Sequence, residues 1–336
     1  MNHEVQKYKQ SGNLLVSRRF LGWLGKLSVF ALTLYYLFHA ISEARTNSAF
    51  SGDTLQQVWH SSWGAILVAA ALLPVNWGVE AAKWQYLSQK IEKISFLEAY
   101  RAVLVGLTLG FVTPNRVGDY AGRILTLHKD NRTDAIGAIL LGRLCQLYAT
   151  VLAGSGAIAY FVFKFYVPLA SPVGVSVALG LLFLNGWALA LLFSFQGAIN
   201  FLEKIPVLRR WVHYFAVVGQ YSGPELRKVL WISGVRYLVF MAQFGLLLWA
   251  FGVRLSVQEY AWGVAGTFLL KSAVPSINAL ADIGMRELSA MHFFGMMGQD
   301  PLLVLGASLS LWALNIALPS LLGLVFVLPL KLSRTR

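Results

Sequence analysis

The chain has 336 residues, of which 57% are hydrophobic and only 13% carry charge, and its mean hydropathy is +0.60. Soluble domains run near 45–50% apolar and about 25% charged, so this chain cannot cover a water-facing surface; soluble, disordered, collagen-like and disulfide-stapled classes are excluded. The formal charge of +13 would suggest nucleic acid in a soluble protein, but in lipid it reads as Lys and Arg gathered on cytoplasmic loops beside anionic headgroups.

A spanning helix needs roughly 20 mostly apolar residues. Six segments supply them: 21–41, 63–86, 135–163, 173–195, 229–253 and 302–330. The first exceeds the roughly 7–15 apolar residues of a signal peptide and is read as a retained span. The longest connection, 196–228, is too short for a separate soluble domain, so the chain is expected to form one membrane domain.

Loop charge sets the orientation. Lys7, Lys9, Arg18 and Arg19 precede the first span; Lys90 and Lys93 follow the second; Lys129 and Arg132 precede the third. Lys204, Arg209, Arg210, Arg227 and Lys228 separate the fourth and fifth, and Lys331, Arg334 and Arg336 end the chain. The alternate loops hold only Arg45, Lys164 and Arg254. Both termini are therefore expected on the cytoplasmic side of the cytoplasmic membrane. The alternation closes only if 95–127 and 256–294 do not cross. In the long loop, Val207, Leu208, Trp211, Val212, Phe215 and Val218 recur at helical spacing, which fits an interfacial amphipathic helix or one packed on the bundle's end.

The two non-crossing stretches hold the most information. Residues 102–113 and 260–270 are apolar but too short to cross, and each runs toward a proline, Pro114 or Pro275, that disfavours helix at the residue before it. They are expected to be re-entrant hairpins. They also align without a gap: Ser95, Glu98, Val103, Leu109 and Pro114 fall on Ser256, Glu259, Val264, Leu270 and Pro275. Each hairpin follows two spans and precedes one. Three crossings per unit invert the second unit, so the fold expected is all-α: six spans and two re-entrant helical hairpins in a 3+3 inverted repeat, with 21–163 as the first repeat and 173–330 as the second. The alternative is two unrelated interfacial loops.

Charges in lipid are costly and usually face a partner or a wet cavity. Asn76, Glu80 and Lys83 share one stripe of the second span, and Arg143 and Gln146 one face of the third. Glu80 and Arg143 lie at similar depth and are expected to approach one another; Arg236 has no partner that the sequence names. After each proline comes a glycine within a charged cluster: Asn115, Arg116, Gly118, Asp119 and Arg123 in the first hairpin, Asp282, Gly284, Arg286 and Glu287 in the second. Asp119/Arg123 and Asp282/Arg286 have the four-residue spacing of a same-face helical pair. Arg116 and Arg123, with Lys271 and Arg286 opposite, are expected to bind a phosphate group. The glycines would let backbone approach it, and Asp119, Asp282 and Glu287 would orient the arginines or bind a cationic headgroup. Tip residues solvated at the membrane surface are the plainer reading.

The run Leu109-Gly110-Phe111-Val112-Thr113-Pro114-Asn115-Arg116-Val117-Gly118-Asp119-Tyr120-Ala121-Gly122-Arg123 and the later Pro275 with Ile283-Gly284-Met285-Arg286-Glu287 resemble the two motifs of the lysylphosphatidylglycerol synthase transmembrane-domain family of flippase-like proteins. The likeness covers nearly the whole chain. It departs at Asp119, where glutamate is common, at Ser276-Ile277-Asn278, where glycines are frequent, and at Gly142-Arg143, where an acid–arginine pair is usual. The resemblance implies lipid handling, including movement of headgroup-bearing lipids between leaflets. The soluble lysyl-transferring domain of larger members has no counterpart here, so lysyl-lipid synthesis is not implied.

The leading expectation is a non-enzymatic lipid translocase whose partner is a membrane phospholipid or lipid-linked substrate. A homo-oligomer or an envelope protein partner is open, and nucleic acid is not expected. The sequence carries no GxxxxGKS/T and no HExxH, its six histidines are scattered, and Cys145 is its single cysteine, so no cofactor and no metal site is expected. A transporter of a soluble anion, a lipid-modifying enzyme and a non-catalytic accessory protein are the alternatives.

Overall fold

The computed structural model describes residues 52–128, 134–194, 213–273 and 279–329, with isolated positions 28, 31, 35 and 197. All but positions 28, 31 and 35 of the expected span 21–41 lie outside the described residues, as do Pro275 and the first half, 207–212, of the amphipathic stretch 207–218. Its end forms a 3-10 helix, His213–Gln220, whose Val217 and Val218 are buried in the core.

All regular structure among the described residues is helical. Helix α1 (Gly52–Ser88) kinks at Ser62, where φ is −143°. Then come α2 (Phe96–Val112), a 3-10 turn (Pro114–Arg116), α3 (Val117–Leu125), α4 (Asp134–Phe165), α5 (Pro172–Phe193), α6 (Gly223–Ala250), α7 (Val257–Ala273) and α8 (Ala279–Met296). The last apolar segment is α9 (Pro301–Trp312), a π turn (Ala313–Ala317) and α10 (Leu318–Val327). Five segments are long and apolar enough to cross a membrane: His60–Ser88, Asp134–Phe165, Pro172–Phe193, Gly223–Ala250 and Pro301–Val327. They correspond to five of the six expected spans.

Between the spans, α2 and α7 are longer than the apolar runs suggested. Both have 17 residues, about 26 Å at 1.5 Å per residue, and both start at the same local device. The Ser95 N–H and hydroxyl donate to Glu98 at 2.7 and 2.8 Å while the Glu98 N–H donates back to Ser95 Oγ. Ser256 and Glu259 repeat every one of these bonds. A serine with glutamate three residues on satisfies orphan N–H groups at a helix start, so polar residues outside the apolar run set where each helix begins. Helix α2 stops where Pro114 demands it: Thr113 is extended, with φ −109° and ψ 143°.

Asn115 and Arg116 are then both left-handed, with φ 51° and 56°, and reverse the chain so that α3 returns along α2. Paired glycines permit the contact. A Cβ on Gly122 would lie 2.5 Å from the Gly106 Cα, and one on Gly118 would collide with the Leu109 carbonyl. Gly106/Gly110 and Gly118/Gly122 are two small-xxx-small pairs flanking Pro114, a spacing that brings helix backbones together in lipid.

Helices α1 and α6 cross the centre of the bundle, held by Gln243 Nε2 donating to the Ala69 carbonyl at 3.0 Å. Each joins two apolar cores. One collects Trp84, Leu87, Ile139, Leu141 and Val229; the other collects Val58, Phe244, Leu247, Phe294 and Val304. Helix α2 packs on α10, where Thr108 Oγ1 reaches the Ser320 carbonyl at 2.8 Å, and α7 packs on α4, where Gly154 meets Leu269. Helix α5 packs on α4 and leaves Leu182 and Phe183 exposed.

Gly118→Ala and Gly122→Ala are each expected to cost about 1–3 kcal/mol, because the added methyl meets backbone that cannot turn aside. Gly284→Ala, which meets nothing within 4 Å, should be neutral or stabilising by up to about 1 kcal/mol. Thermal unfolding in detergent checks the contrast. The Ser256 N–H and the Lys164 ammonium pull the Glu259 carboxyl from its usual 4.5 down to about 2. The stabilisation it gives is therefore complete above 4.5 and lost as pH falls through about 2. Glu259→Gln should remove that part of the acid sensitivity of the melting temperature.

Candidate functional site

The charges that the sequence places in apolar surroundings meet between the two cores. Glu80 on α1 is at the centre. Its carboxylate lies 2.7 Å from Lys83 Nζ, 2.9 Å from a terminal nitrogen of Arg123 on α3 and 3.3 Å from one of Arg236 on α6. Arg123 also reaches back along its own helix to Asp119 at 3.1 Å, and Asp119 pairs with Arg143 on α4 at 2.6 Å. The result is an alternating chain: Lys83 and Arg236 on Glu80, then Arg123, Asp119 and Arg143. Gln146 supports it, accepting from Lys83 at 3.2 Å and donating to the Ser233 carbonyl. Aromatic faces flank the cations, with Arg143 4.3 Å from the Tyr120 ring centre and Arg236 5.0 Å from that of Trp77. Taking this many charges from water costs several kcal/mol per ion, which the pairing offsets only while it is complete. The network therefore fixes position more than it adds stability.

It lines a cavity of about 470 Å³. Helix α1 contributes Trp77, Glu80 and Lys83; α2 contributes Gly106, Leu107, Gly110 and Phe111; the turn and α3 contribute Thr113, Asn115, Arg116, Asp119 and Arg123. Across from them stand Gly142, Arg143, Gln146, Leu147 and Thr150 of α4, Arg236 of α6, Lys271 and Ser272 of α7, and Trp312 and Ile316 near the π turn. Six basic side chains (Lys83, Arg116, Arg123, Arg143, Arg236, Lys271) face two carboxylates (Glu80, Asp119).

The first cluster is thus assembled largely as expected: Asn115, Arg116, Asp119, Arg123 and Lys271 share the cavity, and the Asp119/Arg123 pair forms. Other residues of the expected set stand differently. Glu80 and Arg143 line the same cavity but do not pair, because α3 supplies Arg123 to Glu80 and Asp119 to Arg143. Gly118 is not on the lining; its N–H donates to Thr113 Oγ1 at 2.7 Å and closes the turn. Arg286 and Glu287 are buried together away from the cavity, paired with each other and with Ser308 on α9. Gly284 is exposed, with no neighbour that a Cβ would meet. Arg286 pairs with its chain neighbour Glu287; the Asp282 side chain lies outside the described residues. Among the described residues no group of His, Cys, Asp and Glu is arranged to hold a metal.

Sequence reasoning missed Arg236 as a partner of Glu80, the two glycine pairs, and the buried bond from Asn76 Nδ2 to Asn315 Oδ1 at 2.7 Å. The glycine spacing was readable. Asn315 was readable too, as an amide inside the last apolar run.

Five apolar crossing segments around a buried ionic network make this a polytopic, all-α integral membrane protein. The chain belongs to the family described as the lysylphosphatidylglycerol synthase TM region, which matches residues 16–323. That family ties it to lipid metabolism or transport. Neither a curated protein nor a solved structure matches it.

Glu80→Gln strips three buried cations of their carboxylate and is expected to cost about 3–5 kcal/mol. Unfolding of the detergent-solubilised variant measures this; a stability equal to that of the parent would show that the network carries no such strain.

Proposed function

We propose that this protein moves a phosphate-bearing lipid headgroup between the leaflets of the cytoplasmic membrane, without catalysing a reaction. The observation that carries the reading is a cavity with surplus positive charge among its described lining residues and an exposed apolar side chain on its rim. Leu147 lines the cavity, is 45% exposed, and lies near the middle of the crossing helix α4. A headgroup would enter the charged interior past that edge while its tails remain in the bilayer. A soluble anion would have no use for an apolar edge at that depth.

Arg116, Arg143 and Lys271, with Asn115, are assigned to the headgroup. Asp119 holds Arg123 and Arg143 in position, and Glu80 with Lys83 anchors α3 to α1 from below. The 3+3 inverted repeat is supported by the identical capping boxes and equal lengths of α2 and α7. It is supported too by reciprocal packing, in which the first hairpin helix lies on the last span and the second on the third span. In this arrangement the hairpins re-enter from opposite sides, the segment 21–41 is the sixth span, both termini are cytoplasmic, and rocking of one repeat against the other exposes the cavity to each leaflet in turn.

Reconstitution into liposomes with a fluorescent, dithionite-quenchable phospholipid tests transport. The parent should accelerate flipping, and Arg143→Ala or Arg116→Ala should slow it by about tenfold or more, the loss of one charge-assisted contact. Flipping no faster than in protein-free vesicles, for every lipid tried, would refute the reading. For topology, in a Cys145→Ser background, Lys93→Cys should label from the cytoplasm and Val257→Cys, 86% exposed at the start of α7, from the opposite side.

A further inference from the structure

Resting on that reading, we infer that the headgroup is a dianion with both charges on one compact group, a phosphomonoester or diphosphate, rather than a phosphodiester or a zwitterion. The argument is a charge count that does not depend on lysine. Four arginines, Arg116, Arg123, Arg143 and Arg236, line the cavity, and a guanidinium does not deprotonate in a protein. Among the described residues two carboxylates, Glu80 and Asp119, face them. Arg123 spans both carboxylates, Arg143 completes Asp119, and Arg236 completes Glu80. Two positive charges are left over from the arginines alone, before Lys83 and Lys271 are considered.

Unmatched charge in a low-dielectric cavity is expensive, and a ligand that brings two negative charges removes that cost where one charge removes half. The volume of about 470 Å³ accommodates one compact headgroup, and a single lipid that carries both charges neutralises the surplus with one set of tails. Two donors point the same way. The Arg236 Nε–H and the Trp77 indole N–H, both on lining residues, are buried without an acceptor among the described residues. Neither would gain from a cationic amine, and both are suited to a phosphate oxygen. Arg116 stands in the left-handed turn with φ 56°, and its carbonyl accepts from Arg143. It makes no ion pair with Glu80 or Asp119 and is the guanidinium most readily given to a ligand.

The test is binding to the purified full-length protein in detergent, read by calorimetry, with short-chain lipids of identical tails. Phosphatidic acid supplies the dianion, phosphatidylglycerol the monoanionic diester and phosphatidylcholine the zwitterion; inorganic phosphate is the tail-free arm. Phosphatidic acid should bind about tenfold or more tightly than phosphatidylglycerol, as one extra charge in a partly buried site requires. Phosphatidylcholine should bind most weakly. Arg116→Gln, which breaks no ion pair to Glu80 or Asp119, should keep the parent's melting temperature and shrink the phosphatidic acid preference to about threefold or less. Equal binding of monoester and diester overturns the dianion while leaving flipping untouched. A monoester preference in a protein that flips nothing keeps the dianion and removes the transport reading. Inorganic phosphate binding as tightly as phosphatidic acid overturns a lipid as the carrier of the charge.

Discussion

The structure turns on one buried carboxylate. Glu80, 6% exposed, is the counter-ion of three cations from three directions: Lys83 on its own helix, Arg123 on the short returning helix, and Arg236 on the helix that crosses α1. Without it, α3 would bring a guanidinium into apolar surroundings with only Asp119 to meet it, and Arg236 would have aromatic faces and an amide in place of a carboxylate. An isolated charge cannot stay in such a medium, so Glu80 fixes where α3 packs against α1.

From that anchor the rest of the cavity follows. The hairpin is thin because glycine faces glycine across it. Its thinness lets Asp119 and Arg123, one turn apart, stand between α1 and α4 and relay charge from one to the other. The left-handed pair Asn115–Arg116 sits at the tip, a backbone conformation that non-glycine residues adopt at some cost. The structure holds it there by the Thr113 hydroxyl on Gly118 N–H and by Arg143 on the Arg116 carbonyl. The tip is thus tied to the wall it faces, and Arg116, half-buried, lines the cavity.

The second hairpin is built alike at its base and differently in its chemistry. Its capping box repeats that of the first, and its helix has the same length. Its later charges, however, are turned inward: Arg286 takes Glu287 and Ser308, and among the described residues of α7 and α8 it is Lys271 and Ser272 that line the cavity. The two helix pairs thus share the cap and length of their first helix, while the charged lining of the cavity comes chiefly from α3 and the turn before it.

The residues alone determined the membrane class, the five described crossing segments, the existence of two short helices with the stop of the first at Pro114, and the family. Each depends on local or compositional physics: apolar length and the clash that bars helix before proline. They also placed Arg116, Asp119, Arg123 and Lys271 together, since cations without a soluble surface must share the little polar volume there is. Partner choice was decided only in three dimensions. Arg143 and Arg286 look alike in sequence, each beside a glycine-rich or acidic neighbour in an apolar helix, yet one lines the cavity and the other is sealed against Glu287. Which carboxylate an arginine meets depends on which helix inserts between which others. The close contact of Gly106 with Gly122 lets α3 return along α2 and stand between α1 and α4, and which arginine meets which carboxylate there is not encoded by spacing within any one helix.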